Sequence, residues 1–233
     1  MNGRFLAMNG WMVSLLAVVL GLVGPLAAAQ GRGSGRITGT VTTTAVRPRP
    51  IRVAFDQQVC GAQLPNEAIL VGPGGALANA VVTVRGLKAR TPARDVRVTN
   101  ERCAFVPRVQ VVAPGGTMAT SSRDPILHTT VLHSPEGRQL LNLALPSTAV
   151  ELRRPLPASG PLRVSCSTHQ WMRGWILVTD ELSVVTGADG TFTLPDLAPG
   201  RYELAIWHEQ LKAASQTVTV AAGQSVPISF AMQ

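Results

Sequence analysis

Short runs of alternating apolar and polar residues, separated by glycine and proline, recur along most of this chain. Arg36–Thr44 alternates and is rich in β-branched residues, so it predicts a strand, and Ile51–Phe55 predicts a second one at a sheet edge. Further strands are predicted at 108–112, 118–121, 127–133, 140–145, 150–152, 162–166 and 174–179. No segment after residue 30 keeps a helical period. The pattern therefore predicts an all-β protein built from β-sandwiches.

Glycine-rich turns punctuate the two ends of this pattern. Gly72–Gly75 lies between the apolar runs 68–71 and 80–84, which predicts a hairpin. Asp189-Gly190 lies between two alternating runs over 184–194, a strong hairpin signal. Residues 196–206 continue this pattern, and two further strands are predicted at 216–220 and 226–232, whereas 57–65 is predicted as a loop and 87–95 as a basic connector.

The first 29 residues have a different character. Trp11–Gly24 is apolar, Arg4 precedes it, and Ala27–Ala29 forms a small-residue cleavage site before Gln30. These features predict a secretory signal peptide over residues 1–29, and an uncleaved N-terminal anchor is the alternative. No later segment is apolar enough to cross a bilayer, so no membrane span is expected after signal cleavage. The mature protein is expected to be periplasmic or secreted.

The composition supports a sizeable core and suggests one class of partner. The chain has 233 residues, of which 45% are hydrophobic and 15% charged, and its formal net charge is +8. The basic residues are scattered and lack interleaved aromatic residues, so no nucleic acid is expected as a partner. A basic exported protein is suited to an acidic protein partner.

The segment Cys166-Ser-Thr-His169-Gln-Trp-Met172 carries the most distinctive chemistry. A thiolate, an imidazole and a thioether within seven residues are the donor set of an electron-transfer copper site. They must come from one tight loop, because a strand sends alternate side chains to opposite faces. A second imidazole is needed, and His128, just before an apolar run, is the best candidate.

These residues resemble the cupredoxins, the blue copper proteins, and in particular the short ligand loop of amicyanin-like members. The segment Phe105-Val-Pro107, followed by the turn Gly115-Gly116, resembles another phrase of that family. The resemblance implies a Greek-key sandwich over 96–182 that holds one mononuclear copper through His128, Cys166, His169 and Met172. The family usually has Asn directly after the first histidine, where its side chain helps fix the ligand loop. Thr129 stands there in this chain, a departure that predicts a less rigid loop.

The three cysteines of an exported protein leave one unpaired. Because Cys166 has ligand partners nearby, Cys60 and Cys103 are predicted to form a disulfide. That bridge would close a loop of about forty residues, worth roughly 3–4 kcal/mol in the chain-entropy model. A bridge from Cys166 to either of the others is the alternative, and it would destroy the copper site.

A second resemblance lies at the two ends of the chain. The phrase that runs from Asp189-Gly190 to Pro199-Gly200-Arg-Tyr202 resembles the carboxypeptidase regulatory-like, or transthyretin-like, β-sandwich. Gly35–Val41 and Asn79–Val84 resemble the opening strands of that fold. The resemblance implies that 35–90 and 183–233 form one discontinuous sandwich around the copper domain. In the alternative, the N-terminal strands join the cupredoxin sheet and a separate C-terminal module follows.

The predicted function is single-electron transfer by an exported copper protein, with a redox partner protein that is acidic. The chain is not expected to be an enzyme, because His133 and His208 alone remain for any further metal centre. Pro125, Trp171 and Arg173 are the candidates for partner docking. Two alternatives stay open: a carbohydrate- or protein-binding module without a redox role, and periplasmic copper storage or delivery.

Overall fold

The computed structural model describes residues 33–233 except Ser147, Ala149 and Ala158. Its strands are β1 (Gly35–Thr43), β2 (Ile51–Arg52), β3 (Gln63–Leu64), β4 (Val81–Lys88), β5 (Asp95–Glu101), β6 (Ala104–Val106), β7 (Val109–Val112), β8 (Thr117–Ser122), β9 (His128–His133), β10 (Gln139–Leu145), β11 (Glu151–Pro155), β12 (Gly160–Ser165), β13 (Arg173–Val178), β14 (Glu181–Val185), β15 (Thr191–Leu197), β16 (Gly200–Trp207), β17 (Gln216–Val220) and β18 (Ser225–Met232). Helical structure in this part of the chain is limited to α1 (Gln57–Cys60) and 3₁₀ turns at Glu67–Ile69 and Pro73–Gly75.

The predicted all-β class is confirmed over the described residues. The predicted signal peptide, residues 1–29, lies outside them. Within the described part of the chain, no helix has the length and apolar character that crossing a bilayer requires.

Strands β5 to β13 form two sheets that we call the central sandwich. One sheet has the strand order β10-β9-β12-β13-β7, and the other has the order β11-β8-β5-β6. Alternate residues of each strand face the space between them, as Val96 and Val98 of β5 do. The buried apolar side chains that fill this space include Phe105, Met118, Leu132, Leu162, Val164 and Ile176. The central sandwich therefore has a core of its own.

The remaining long strands form a second pair of sheets, the flanking sandwich, with orders β15-β1-β18 and β14-β4-β16-β17. Strand β1 pairs in parallel with β18 over Arg36–Thr43 and antiparallel with β15. Strand β4 pairs with β14 and β16. Strands from both ends of the chain thus share the same sheets, and the chain leaves the flanking sandwich after β4 and returns to it at β14. Its core includes Ile37, Val41, Leu194, Leu204 and Phe230.

Both predicted hairpins are wrong in their pairing. The Asp189-Gly190 turn forms, with Gly190 N–H donating to Gly187 O at 2.9 Å. Glycine is required there because φ is +71° and a Cβ would lie 2.5 Å from Val41 O. The strands on either side, β14 and β15, nevertheless lie in different sheets. A local turn signal determines the bend of the chain, whereas the apolar faces of distant strands determine the pairing.

The predicted pairing of 68–71 with 80–84 fails for the same reason. Strand β4 pairs with β14 and β16 instead, and the glycine-rich turn carries one isolated bridge between Val71 and Leu77. Strands β5 and β6 were not predicted, although 95–100 alternates in burial. The predicted 57–65 loop contains helix α1 and strand β3.

The predicted disulfide between Cys60 and Cys103 is confirmed, with the two Cα atoms 5.3 Å apart. It joins the end of α1 to the turn between β5 and β6. Cys166 is free and buried, so neither competing pairing occurs. The bridge fixes the segment Val53–Cys60, which we call the strap, against the central sandwich.

Candidate metal centre

The predicted ligand loop connects β12 to β13 at one end of the central sandwich. Cys166 directly follows the last residue of β12, and Met172 directly precedes β13. The loop is closed by Met172 N–H, which donates to His169 O at 3.0 Å. It is also held by His169 N–H, which donates to Cys166 Sγ at 3.4 Å. All three predicted loop ligands are therefore buried in a single turn.

His128 reaches the same place from a neighbouring strand. It opens β9, which pairs with β12 in the five-stranded sheet. Its Nδ1 lies 4.0 Å from Cys166 Sγ and 3.1 Å from His169 Nδ1, and the third side of this triangle, from Sγ to His169 Nδ1, is 3.8 Å. The point equidistant from the three atoms lies about 2.1 Å from each, within the roughly 2.0–2.3 Å that nitrogen and sulfur take around zinc.

Each imidazole is oriented by a carboxylate at its far nitrogen. His128 Nε2 lies 2.9 Å from Asp124 Oδ2, and His169 Nε2 lies 3.1 Å from Asp56 Oδ2. The Asp124 carboxylate is itself held by the backbone N–H groups of Arg102 and Cys103, at 2.8 and 2.9 Å. With Nε2–H donating to a carboxylate, each ring leaves the Nδ1 lone pair free for a metal.

This arrangement favours a cation at the centre of the triangle. The two Nδ1 lone pairs face each other at 3.1 Å, and a sulfur atom lies within 4.0 Å of both. The relative exposures of His128, His169 and Cys166 are 0%, 0% and 3%, so water does not separate these electron-rich atoms. A metal ion would convert their mutual repulsion into coordination. Cys166, His128 and His169 therefore fit a trigonal metal site.

The sulfur of Cys166 is prepared to bind as a thiolate. Burial by itself raises the pKa of this thiol. The side chain of His128 beside the sulfur, the backbone N–H groups of Thr129 and His169, and the Thr129 hydroxyl together outweigh burial and lower the pKa to about 5. The thiolate is the form that binds metals, so the site needs little further deprotonation near neutral pH.

Thr129 stands at the position where the resemblance to cupredoxins led us to expect asparagine. Its side chain and backbone hold the ligand loop through hydrogen bonds. Its Oγ1 accepts a hydrogen bond from Ser167 N–H at 2.7 Å, and its backbone N–H donates to Cys166 Sγ at 3.3 Å. The side chain is buried against the loop. The hydrogen bonds of Thr129 therefore give no sign of the less rigid loop that was predicted.

Met172, the predicted axial ligand, is 1% exposed and belongs to the core cluster of the central sandwich. Its place directly after the ligand turn agrees with an axial role, which stays a prediction. The other two histidines lie elsewhere. His133 Nε2 is 2.8 Å from Ser165 Oγ, and His208 follows β16 of the flanking sandwich.

The strap covers the His169 ring. Phe55 stacks on the His169 ring with centroids 5.4 Å apart, and Asp56 binds its Nε2. A sulfur of the Cys60–Cys103 bridge lies within 4.8 Å of a His169 ring nitrogen. The His169 ring is therefore fully buried beneath the strap.

The three predicted docking residues have different environments. Pro125 is exposed, next to the anchored Asp124. Trp171 is half-buried, 5.1 Å from the His169 ring, and its Nε1 donates to Cys103 O at 3.2 Å. Arg173 is partly buried, and burial lowers its pKa, as do the neighbouring guanidinium groups of Arg163 and Arg108. Phe55, which is 46% exposed, is the apolar residue that lies over the site.

Sequence reasoning missed Asp56 and Phe55, because the strap lies more than a hundred positions before His169. Nothing in the local sequence marks either residue, apart from the nearby Cys60. Asp124 had a recognisable signal: it precedes His128 by four residues. Its role as a partner of that imidazole became clear only from the folded chain.

This chain is similar in part to one described family, to several solved structures and to several curated proteins. Residues 176–233 match the family described as carboxypeptidase regulatory-like domain. The predicted resemblance of the C-terminal strands to that family is thus confirmed over this range. Solved structures similar to this chain include a purple cupredoxin from Nitrosopumilus maritimus, at 18% identity, with a TM-score of 0.32, covering 36% of this chain and 98% of that one. Amicyanin from Paracoccus versutus is similar at 17% identity, with a TM-score of 0.32, covering 42% and 96%.

Curated relatives match part of the chain. The probable rhamnogalacturonate lyase A of Aspergillus terreus is 28% identical over 108 residues, which cover 40% of this chain and 20% of the relative. The protein of the same name from Aspergillus fumigatus is 33% identical over 67 residues, which cover 29% and 13%. This chain therefore spans a fifth or less of the length of these two relatives.

Proposed function

We propose that this chain is an exported, mononuclear copper protein that carries single electrons and is not an enzyme. The observation that carries the proposal is the buried triangle of Cys166 Sγ, His128 Nδ1 and His169 Nδ1, with sides of 3.1 to 4.0 Å. A thiolate and two imidazoles in one plane, with a methionine close by in sequence, are the donors typical of electron-transfer copper. Bound copper would supply a centre that accepts and releases one electron.

The protein's own residues hold the donors in one geometry. Asp124 and Asp56 hold the two imidazoles through Nε2, and N–H groups of Thr129 and His169 hold the sulfur. Because these contacts are already formed in the folded chain, little rearrangement is needed when the charge of the site changes. Small rearrangement is what rapid electron transfer requires.

Export is supported by the disulfide. Disulfide bonds persist in oxidising compartments, and Cys60–Cys103 is such a bond. With the predicted signal peptide at 1–29, it favours a periplasmic or secreted protein. An acidic redox partner is supported by 21 lysine and arginine residues against 13 acidic ones. Electron-transfer rates with such a partner should fall as ionic strength rises.

The test is a visible absorption and EPR spectrum of the copper-reconstituted protein. An intense thiolate-to-copper band near the red end of the visible is expected, together with the EPR signal of a single Cu(II) ion. His128→Ala should alter both spectra, and Cys166→Ser should abolish the band. His133→Ala is the matched control and should leave both unchanged. A colourless protein that takes up no copper under oxidising conditions would end the proposal.

Copper storage or delivery would use the same donor atoms. The rate at which the protein exchanges Cu(I) distinguishes this role from electron transfer. A carrier of electrons should keep its copper through repeated oxidation and reduction, and it should exchange Cu(I) slowly because all three donors are buried. Rapid transfer of Cu(I) to a chelator without redox cycling would favour delivery instead.

A second candidate function belongs to the flanking sandwich. Its C-terminal strands match the regulatory-like family, and the similar curated proteins are named probable rhamnogalacturonate lyase A. These observations favour a carbohydrate-binding role for this half of the molecule. A glycan array that includes rhamnogalacturonate would test it, and binding should be unaffected by Cys166→Ala. Absence of binding to every glycan would remove this candidate.

A further inference from the structure

A cavity of about 670 Å³ lies behind the metal loop, at the junction of the two sandwiches. Its volume is in the range of small-molecule sites. One wall comes from the segment 64–68, which follows the strap, and another from 101–108 of the central sandwich. Trp171–Trp175 and Glu209 complete it. The three donor atoms of the metal triangle do not line this space.

The acidic groups around the cavity are already engaged. Arg108 Nε donates to Glu209 Oε1 at 2.7 Å, and its Nη1 lies 3.8 Å from Glu67 Oε2. Glu101, the third carboxylate of the lining, pairs with Arg123 at 2.9 Å. The negative charge of the cavity wall is therefore neutralised by the protein itself.

Three guanidinium groups of the lining lack such a partner. Among the described residues, no carboxylate lies within 4.0 Å of Arg102, Arg163 or Arg173. Arg163 and Arg173 lie on the paired strands β12 and β13, two register positions apart. Both side chains are partly buried, so solvent compensates their charge incompletely. The cavity lining therefore carries an excess of positive charge, with four arginines against three glutamates.

The rest of the wall is apolar and partly aromatic. Trp171 and Trp175 contribute indole rings, and Ile51, Leu64 and Val106 contribute aliphatic surface. Trp175 is held by an edge-to-face contact with Trp207 of the flanking sandwich, with centroids 5.3 Å apart. Flat rings held in place are suited to stacking against a flat apolar molecule. Arginine adds bidentate recognition of a carboxylate.

We propose that this cavity binds a small organic anion, with a flat, unsaturated apolar body and a carboxylate that pairs with Arg163 and Arg173. The apolar body packs against Trp171 and Trp175, and the arginines without a carboxylate partner attract an anion and repel a cation. The site goes beyond the proposed electron-carrier function and does not depend on metal binding.

The test uses isothermal titration calorimetry on the full protein as purified, with 2-naphthoate as the probe. The neutral analogue 2-naphthalenemethanol has the same ring system without the charge. We expect 2-naphthoate to bind and the alcohol to bind at least about tenfold more weakly, since a charge-assisted hydrogen bond is worth about 1.5–3 kcal/mol. Arg163→Gln should weaken 2-naphthoate binding by about tenfold and leave the alcohol unchanged.

Arg94→Gln is the matched control, because it removes the same charge from an exposed position outside the cavity. Arg102→Gln, in an exposed turn, is a second variant that should weaken 2-naphthoate binding to a smaller extent. Circular dichroism checks that each variant is folded. The proposal is overturned if the wild-type protein binds no 2-naphthoate, if acid and alcohol bind equally, or if Arg163→Gln behaves like Arg94→Gln.

Discussion

The central and flanking sandwiches are both two-sheet structures with apolar cores, but they bury different polar groups. In the flanking sandwich the buried polar side chains serve the strands: Thr43 Oγ1 donates to Met232 O at 2.8 Å and Thr186 Oγ1 to Leu77 O at 2.9 Å. The central sandwich has such groups too, for example Thr120, whose Oγ1 donates to Val98 O, but it also buries Asp124, His128 and His169 near the metal loop. A buried polar group is costly without partners.

This difference in buried polar groups indicates which of the two sandwiches carries the chemistry. The backbone N–H groups of Arg102 and Cys103 engage the Asp124 carboxylate, but backbone contacts do not account for two imidazoles and a thiolate buried near it. The central cluster is explained if its groups converge on a cation. If the central sandwich carries the chemistry, a core substitution in the flanking sandwich should lower stability and leave the metal site unchanged.

The largest expected difference is in pH dependence. The pKa of Cys166 is lowered from 9.0 to about 5 in the folded chain. Between these values the unfolded thiol binds a proton that the folded one does not. The metal-free protein should therefore lose stability as the pH falls from about 9 to 5, with no further loss from this group below 5.

Ultraviolet absorbance of the thiolate should give the midpoint near pH 5, and chemical denaturation at each pH should give the stability. Cys166→Ser is the control, since it should remove this part of the slope. A thiol midpoint as high as that of a free cysteine would contradict the description of the site.

A large loss of stability is also expected from a substitution in the apolar core of the flanking sandwich. Phe230 is fully buried and packs near Phe192, with ring centroids 6.4 Å apart. Phe230→Ala should lower the free energy of unfolding by about 3–5 kcal/mol, because it leaves a cavity. Copper affinity of the folded variant should be unchanged, since Phe230 belongs to the other core cluster. A parallel loss of copper affinity would show that the two sandwiches are not separable.

The disulfide should affect both stability and site. Replacing Cys60 and Cys103 with alanine should cost about 2–4 kcal/mol in unfolding free energy. It also releases the strap that covers His169, so copper should dissociate faster into a chelator. If the copper dissociation rate does not change when the disulfide is removed, the strap stays in place without the disulfide.

Substitution of Asp56 should change copper affinity by less than the changes above alter stability. Asp56→Asn keeps the shape of the side chain but removes the charge beside His169 Nε2. Copper affinity should fall about 10–100-fold, as for other partners of metal-binding histidines. Asp95→Asn, at an exposed carboxylate of the central sandwich, is the matched control. Equal affinities of the two variants would remove Asp56 from the site.

Part of this structure could be predicted because its causes are local. Alternation of apolar and polar residues gives the all-β class, since a strand exposes successive side chains on opposite faces. The spacing of Cys166, His169 and Met172 places three candidate donors in one turn, whatever the rest of the chain does. The Cys60–Cys103 bridge followed from the chemistry of Cys166, which left two cysteines to pair.

The type of secondary structure, the ligand loop and the pairing of the cysteines could thus be predicted from the order of residues alone. The folded chain was needed to show that β14 and β15 lie in different sheets, that Asp56 reaches His169 across 113 positions, and that arginines without a carboxylate partner line a cavity. The reason is physical: strand partners and buried ion contacts are selected by competition among distant apolar and charged groups, and no local window contains that competition.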